Sequence, residues 1–121
     1  MKKRLSINDI FIKIQAAALK NEVNLTYTNK MVFIKLIDYA EENDSIDYPV
    51  WTRFNVKTSV LAKYCSVSPR IITESLRKLN QCGIIKYIVQ HPNPSVVTLY
   101  KKYYEDSTTD GRTLKERRDK K

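Results

Sequence analysis

Along most of the chain, apolar side chains return every three or four positions, the spacing that gathers them on one face of a helix. The clearest case follows Ser68: Ile72, Leu76 and Leu79 share one face with Ser75 beside them, while Arg70, Thr73, Glu74, Arg77, Lys78 and Gln81 fall on the other. Ser68 predicts the start of this helix, because its hydroxyl can accept from the exposed amides of the first turn. Pro69 suits the first helical position, where its fixed φ helps and its missing N–H removes nothing. Gly83 predicts the stop, since glycine enters the left-handed region without steric cost. A shorter helix precedes this one, with Val60, Leu61 and Tyr64 as its inner face and Ala62 small enough for close packing. Only Ser66 and Val67 are left to turn the corner between the two.

Two more helices are predicted upstream. Ser6 opens the first, with Asp9 three residues on, and it runs to about Asn21. Its apolar residues, Ile7, Ile10, Phe11, Ile12, Ile14, Ala16, Ala17, Ala18 and Leu19, cover more than one stripe. A helix apolar so far round is either enclosed within its own domain or shared with a second copy of the chain. Thr28 is the expected cap of the next helix, Asn29 to Glu42, whose inner face is Val32, Phe33, Leu36, Ile37 and Ala40. After it, Ser45 to Phe54 reads as extended chain with alternate burial, with Trp51 as a core anchor. Ile84 to Val89, the loop Gln90 to Ser95, and Val96 to Tyr100 alternate as strand, loop and strand, with Ile85, Tyr87 and Val89 on one side. Beyond Glu105 large apolar residues nearly vanish, and residues 105–121 are expected to form a polar, disordered tail.

Two short helices joined by a tight corner form a helix-turn-helix, whose second member can lie in the major groove of DNA. The run LAKYCSVSPRIITESLRKLNQCGIIKY, with its Leu-Ala pair, Val-Ser corner and Leu-x-x-x-Gly-Ile-Ile close, resembles the winged helix-turn-helix superfamily. The resemblance covers roughly Thr28 to Tyr104. It implies a mainly α fold with a small β-hairpin wing, an α+β architecture occupying residues 1–104, with Ser45 to Phe54 as the small first strand that such domains pair with the wing. Thr28-x-Lys30 ahead of a long helix, with the helix-turn-helix late in the chain, looks like the winged domains of phage and plasmid replication and maintenance proteins.

Charge sharpens this picture. Residues 55–104 hold eight basic side chains against one acidic, whereas residues 1–54 hold eight against seven and residues 105–121 six against five. Most of the formal excess of +9 therefore coincides with the helix-turn-helix and hairpin. A polyanion attracted there would be held by phosphate contacts and counterion release. Asp38, Glu41, Glu42, Asp44 and Asp47 form an acidic end, read either as a pole turned away from DNA or as a solubilising loop.

The remaining chemistry is sparse. Two cysteines, Cys65 and Cys82, lack the spacing of a disulfide framework or a metal site, so buried, reduced thiols in a cytoplasmic protein are expected. No apolar run is long enough to span a bilayer, and the Met1 to Arg4 start leads into no signal-peptide core. Ser75-Leu76-Arg77-Lys78 matches S-x-x-K without its companion motifs, and two glycines cannot build a phosphate-cradling loop. No enzyme, metal, cofactor or small-molecule substrate is expected.

The resemblance points to Pro69, Arg70, Ile71, Thr73 and Glu74 at base edges. Arg70 leads, because a guanidinium donates two parallel bonds to guanine. Ile71 would cover a thymine methyl or pack on the neighbouring helix, and Glu74 would read a cytosine amino group or position Arg70. Lys57, Ser68, Arg77 and Lys78 suit phosphates, Lys86, Lys101 and Lys102 are expected on the hairpin strands facing the backbone, and His91 and Asn93 at its tip. The expected partner is double-stranded DNA, with a homodimer preferred, and the expected role is marking a site for a replication, partition or transfer assembly. A transcriptional repressor, or a winged helix serving protein contacts, is the alternative.

Overall fold

The first helix shows how the chain divides its apolar residues. In a computed structural model describing residues 3–90 and 92–106, α1 (Ile7–Lys20) starts where Ser6 Oγ accepts from the Asp9 amide at 3.1 Å. Ile10, Ile14 and Ala18, four apart, are its buried stripe. Ile12 and Leu19 face away and are 61% and 69% exposed, so the helix is not enclosed by its own domain. The next helix, α2 (Tyr27–Glu42), begins two residues before the expected point, and Thr26 rather than Thr28 caps it. The reason is a reciprocal pair: Thr26 Oγ1 accepts from the Asn29 amide at 3.1 Å, and Asn29 Oδ1 accepts from the Thr26 amide at 3.0 Å. All five residues assigned to the inner face of α2 are buried, with Ile34 beside them.

The strands are β1 (Lys3–Arg4), β2 (Ile46–Asp47), β3 (Trp51–Val56), β4 (Ile85–Ile88), β5 (Ser95–Tyr100) and β6 (Glu105–Asp106), with α3 (Thr58–Cys65) and α4 (Pro69–Gln81) between β3 and β4. Four strands form an antiparallel sheet in the order β2-β3-β5-β4, and β1 pairs with β6 separately. Ser45 to Phe54 thus does supply a partner for the hairpin: β3 pairs along the whole of β5, from Trp51 opposite Tyr100 to Val56 opposite Ser95. Trp51 is not a core anchor, however. Strand residues alternate faces, and Thr52, Phe54 and Val56 take the inner one, which puts Trp51 on the outer.

The inner sheet face, Phe54, Val56, Ile85, Val97 and Leu99, joins Phe33, Leu36, Ile37, Leu61, Ile72, Leu76 and Leu79 in one core. Burying each such side chain contributes about 1.5–3 kcal/mol. Tyr39 of α2 packs against both Phe54 and Tyr64, tying α2, β3 and α3 together at centroid distances of 5.4 and 5.3 Å. Val60 is 44% exposed instead of buried, because Leu61 and Ala62 take the inner arc of α3. Val89 also lies outside, one residue beyond the end of β4. This α+β arrangement, a helix-turn-helix followed by a β-hairpin, is the one the sequence predicts. Glu105 and Asp106, assigned to the tail, belong to β6; the remainder of the tail and His91 lie outside the described residues.

Candidate nucleic-acid interface

The corner of the motif is built by its caps. Ser66 closes α3 in the left-handed region at φ 60°, and Val67 N–H donates to Ala62 O across the turn at 3.0 Å. Ser68 then caps α4, its Oγ accepting from the Ile71 amide at 3.3 Å, with Pro69 at the first helical position. Ile72, Ser75, Leu76 and Leu79 face the core as expected. At the far end Gly83 (φ 75°) allows the Ile84 amide to reach Leu79 O and its own amide to reach Asn80 O, at 3.1 and 3.0 Å. This double closure buries Ile84 against the core and turns the chain into β4.

With the inner face committed, the outer face of α4 follows from helical spacing. Arg70, Glu74, Arg77 and Gln81 form the exposed stripe, Thr73 is half-buried on one flank, and Ile71 and Lys78 are half-buried on the other. Among the described residues neither Arg70 nor Arg77 makes an ion pair, and Glu74 makes none with Arg70. Glu74 therefore does not position Arg70 in the unliganded protein. Ser68 and Pro69 are exposed, leaving the N-terminus of α4 open to an anion. Lys57, also exposed, stands at the start of α3 without a side-chain cap, where a cation opposes the helix dipole and so does nothing for helix stability. Because Val56 pairs with Ser95, this lysine begins α3 at the same end of the sheet as the hairpin tip, where Asn93 is exposed.

Two contacts that the sequence reading missed hold α4 in place. Asn29 Nδ2, buried in α2, donates to the buried Ser75 Oγ at 2.8 Å. Asn80 Oδ1 accepts from the Tyr87 amide at 3.1 Å, joining the last turn of α4 to the edge of β4. A polar residue at a core spacing was the only available signal for the first, and the second had none. Ser75 is thus a buried packing residue whose hydroxyl is bonded to Asn29.

Three assigned lysines do not join the α4 surface. Lys101 lies beyond β5 in a 3-10 turn (Lys101–Tyr103); its side chain is only 11% exposed and is ion-paired with Asp47 and, at 3.9 Å, Glu105. Its ammonium, by hydrogen bonding to Asp47, holds that carboxyl below its ordinary range. Lys102 is exposed, but it sits with Lys13 and Lys20 of α1 around an open hollow, at the end of β5 opposite the hairpin tip. Lys86 projects from the outer face of the sheet, since Ile85 on its inner face meets the core that α4 also enters. Lys86 does lie on a hairpin strand, whereas Lys101 and Lys102 fall beyond theirs, because two adjacent lysines have no periodicity from which to read where the strand ends.

The acidic end is largely absorbed by the fold. Arg4 Nη1 donates to Asp38 at 2.7 Å and lies 3.4 Å from Glu41, while Asp47 holds Lys101 and accepts from Thr52 at 2.9 Å. Burial pushes the Cys65 thiol up to about 11 and raises that of Cys82, so neither is a thiolate at neutral pH. Among the described residues no three His, Cys, Asp or Glu side chains are grouped to hold a metal ion, and no helix is long and apolar enough to cross a membrane.

No family model matches the chain, and no curated protein matches it. Among solved structures it is similar to the N-terminal domain of a DNA-binding protein, at 19% identity and a TM-score of 0.52. The likeness covers 63% of this chain and 61% of that one, less than two thirds of either, and it is a likeness of fold.

Proposed function

We propose that this chain is a non-catalytic, double-stranded DNA-binding protein that inserts the N-terminal half of α4 in the major groove. The observation that carries this reading is the outward stripe of α4. Its two arginines, Arg70 beside the open helix N-terminus and Arg77 two turns on, are exposed and have no ion-pair partner among the described residues. Lys57, Lys78 and Asn93 complete a set that reaches phosphates, with Thr73 and Ile71 flanking the bases. Similarity of fold to the N-terminal domain of a DNA-binding protein supports the same reading.

The role is marking one site for a replication, partition or transfer assembly in the manner of plasmid and phage winged-helix proteins, with repression of a small operon as the competing use of the same contacts. A second copy supplies the other half-site. The apolar outward side chains of α1, Ile12 and Leu19, are the surface it would cover.

Arg70→Ala is expected to weaken binding to the selected site by about 1–3 kcal/mol and to relax preference at one base pair. Lys57→Ala should weaken all duplexes alike and reduce the salt slope by about one. Site selection from random duplexes followed by anisotropy titrations measures both. Equal loss on specific and random DNA for Arg70→Ala would remove it from the groove. Sedimentation at rising concentration tests the dimer, and a strict monomer at high protein concentration excludes it.

A further inference from the structure

The sheet presents a second surface, turned away from the helices and sharing no residue with α4. Its register aligns three rows of outward side chains. Trp51 stands opposite Tyr100; Arg53, Thr98 and Lys86 follow across three strands; then come Asn55, Val96 and Ile88. Arg53 Nε donates to Thr98 Oγ1 at 3.2 Å, which fixes the guanidinium over the Trp51 ring, 4.4 Å from its centroid. The Tyr48 ring meets Trp51 at 4.5 Å and is itself 52% exposed. None of these rows contains a carboxylate. Asp47 is turned the other way, toward Lys101 and Thr52, and Asp44 borders only the margin beyond Arg53.

Flat aromatic and guanidinium surfaces flanked by cations are complementary to exposed base faces joined by phosphates. Rows of this sheet are about 7 Å apart, about twice the axial spacing of stacked nucleotides in a duplex strand, so bases lying on successive rows must be unstacked. A duplex offers no such faces. We propose that this outer sheet face binds single-stranded nucleic acid, with bases stacking on Tyr48 and the Trp51–Arg53 pair and phosphates meeting Lys86 and the open edge of Arg53. The exposed Ile46 and Val50 beside Trp51 would also suit a protein contact, and Trp, Tyr and Arg are frequent anchors of such contacts. Two cations in the middle row, neither ion-paired with an acid among the described residues, favour the polyanion.

Trp51 is the sole tryptophan, so its fluorescence reports on this face alone. The full chain is titrated with labelled oligo-dT, labelled oligo-U and a mixed-sequence duplex, with anisotropy and Trp51 emission recorded together. Binding of either single strand with quenching of Trp51 is expected, and the tighter of the two identifies the natural strand as DNA or RNA. Tyr48→Ala or Arg53→Ala should weaken single-strand binding at least about fivefold, the lower end for one stacked base, and leave duplex binding unchanged. Arg70→Ala should do the reverse, so the two surfaces can fail separately. Single-strand binding without a change in Trp51 emission, or equal loss on duplex for folded Tyr48→Ala, overturns the proposal. No binding of either oligonucleotide also overturns it and returns the patch to a protein contact.

Discussion

Asn29→Ala is expected to destabilise the protein by about 1.5–4 kcal/mol, a large effect for a polar residue at the start of a helix. The amide makes two bonds at once. Its oxygen accepts from the Thr26 backbone at 3.0 Å, and losing half of such a cap costs about 0.5–1 kcal/mol. Its nitrogen donates to Ser75 Oγ at 2.8 Å between residues only 2% and 0% exposed. Losing that bond and leaving the hydroxyl buried without this partner costs about 1–3 kcal/mol more. Urea unfolding followed by circular dichroism measures the loss, with the slope against urea unchanged if the native and unfolded ensembles keep their size. Ser75→Ala completes a double-mutant cycle, in which the pair should show about 1–2 kcal/mol of coupling. Loss below about 1 kcal/mol for Asn29→Ala, or additivity within about 0.5 kcal/mol, would refute the reasoning. If the proposed interface is right, duplex affinity measured far below the unfolding transition should barely move, because Asn29 and Ser75 are buried and lie outside it.

The helix ends make a prediction of opposite signs. Gly83→Ala meets no atom within 4 Å, so its cost is confined to forcing an alanine to φ 75°, about 1–2 kcal/mol. Ser66→Gly relieves the same kind of strain at φ 60° and should stabilise by up to about 1 kcal/mol, both read from shifts in the urea midpoint. The Asp47–Lys101 pair predicts a pH effect. Since the folded Asp47 carboxyl is depressed, its contribution is present above the ordinary carboxylate range and is lost as pH falls through the lower folded value. Asp47→Asn should therefore flatten the acid limb of thermal stability below about pH 4, and only slightly, because the side chain is 66% exposed. An unchanged acid limb would show that the pair contributes nothing to stability.

The helix-turn-helix was readable because each signal in it is local. Ser68-Pro69, the spacing of Ile72, Leu76 and Leu79, and Gly83 act within one or two turns of chain, where geometry follows from residue type alone. The hairpin was readable for the same reason, with alternation replacing helical spacing, whereas the pairing of the preceding strand rested on the resemblance and its faces were misread at Trp51. Thr26 in place of Thr28 as cap shows the margin: either threonine could bond forward, and the choice fell to Asn29, whose side chain reaches back to one of them and across to Ser75.

By itself the sequence determined which face of α2 and of α4 is buried and where cations outnumber acids, since both are properties of neighbouring residues. Only the tertiary structure decided which cations share a surface. Lys101 was consumed by Asp47, and Lys86 was turned with Arg53 to the outer sheet face, while Arg70 and Arg77 stayed together on α4. Placement of that kind depends on strand register and on contacts between residues dozens of positions apart, and neither is written in any single stretch of chain.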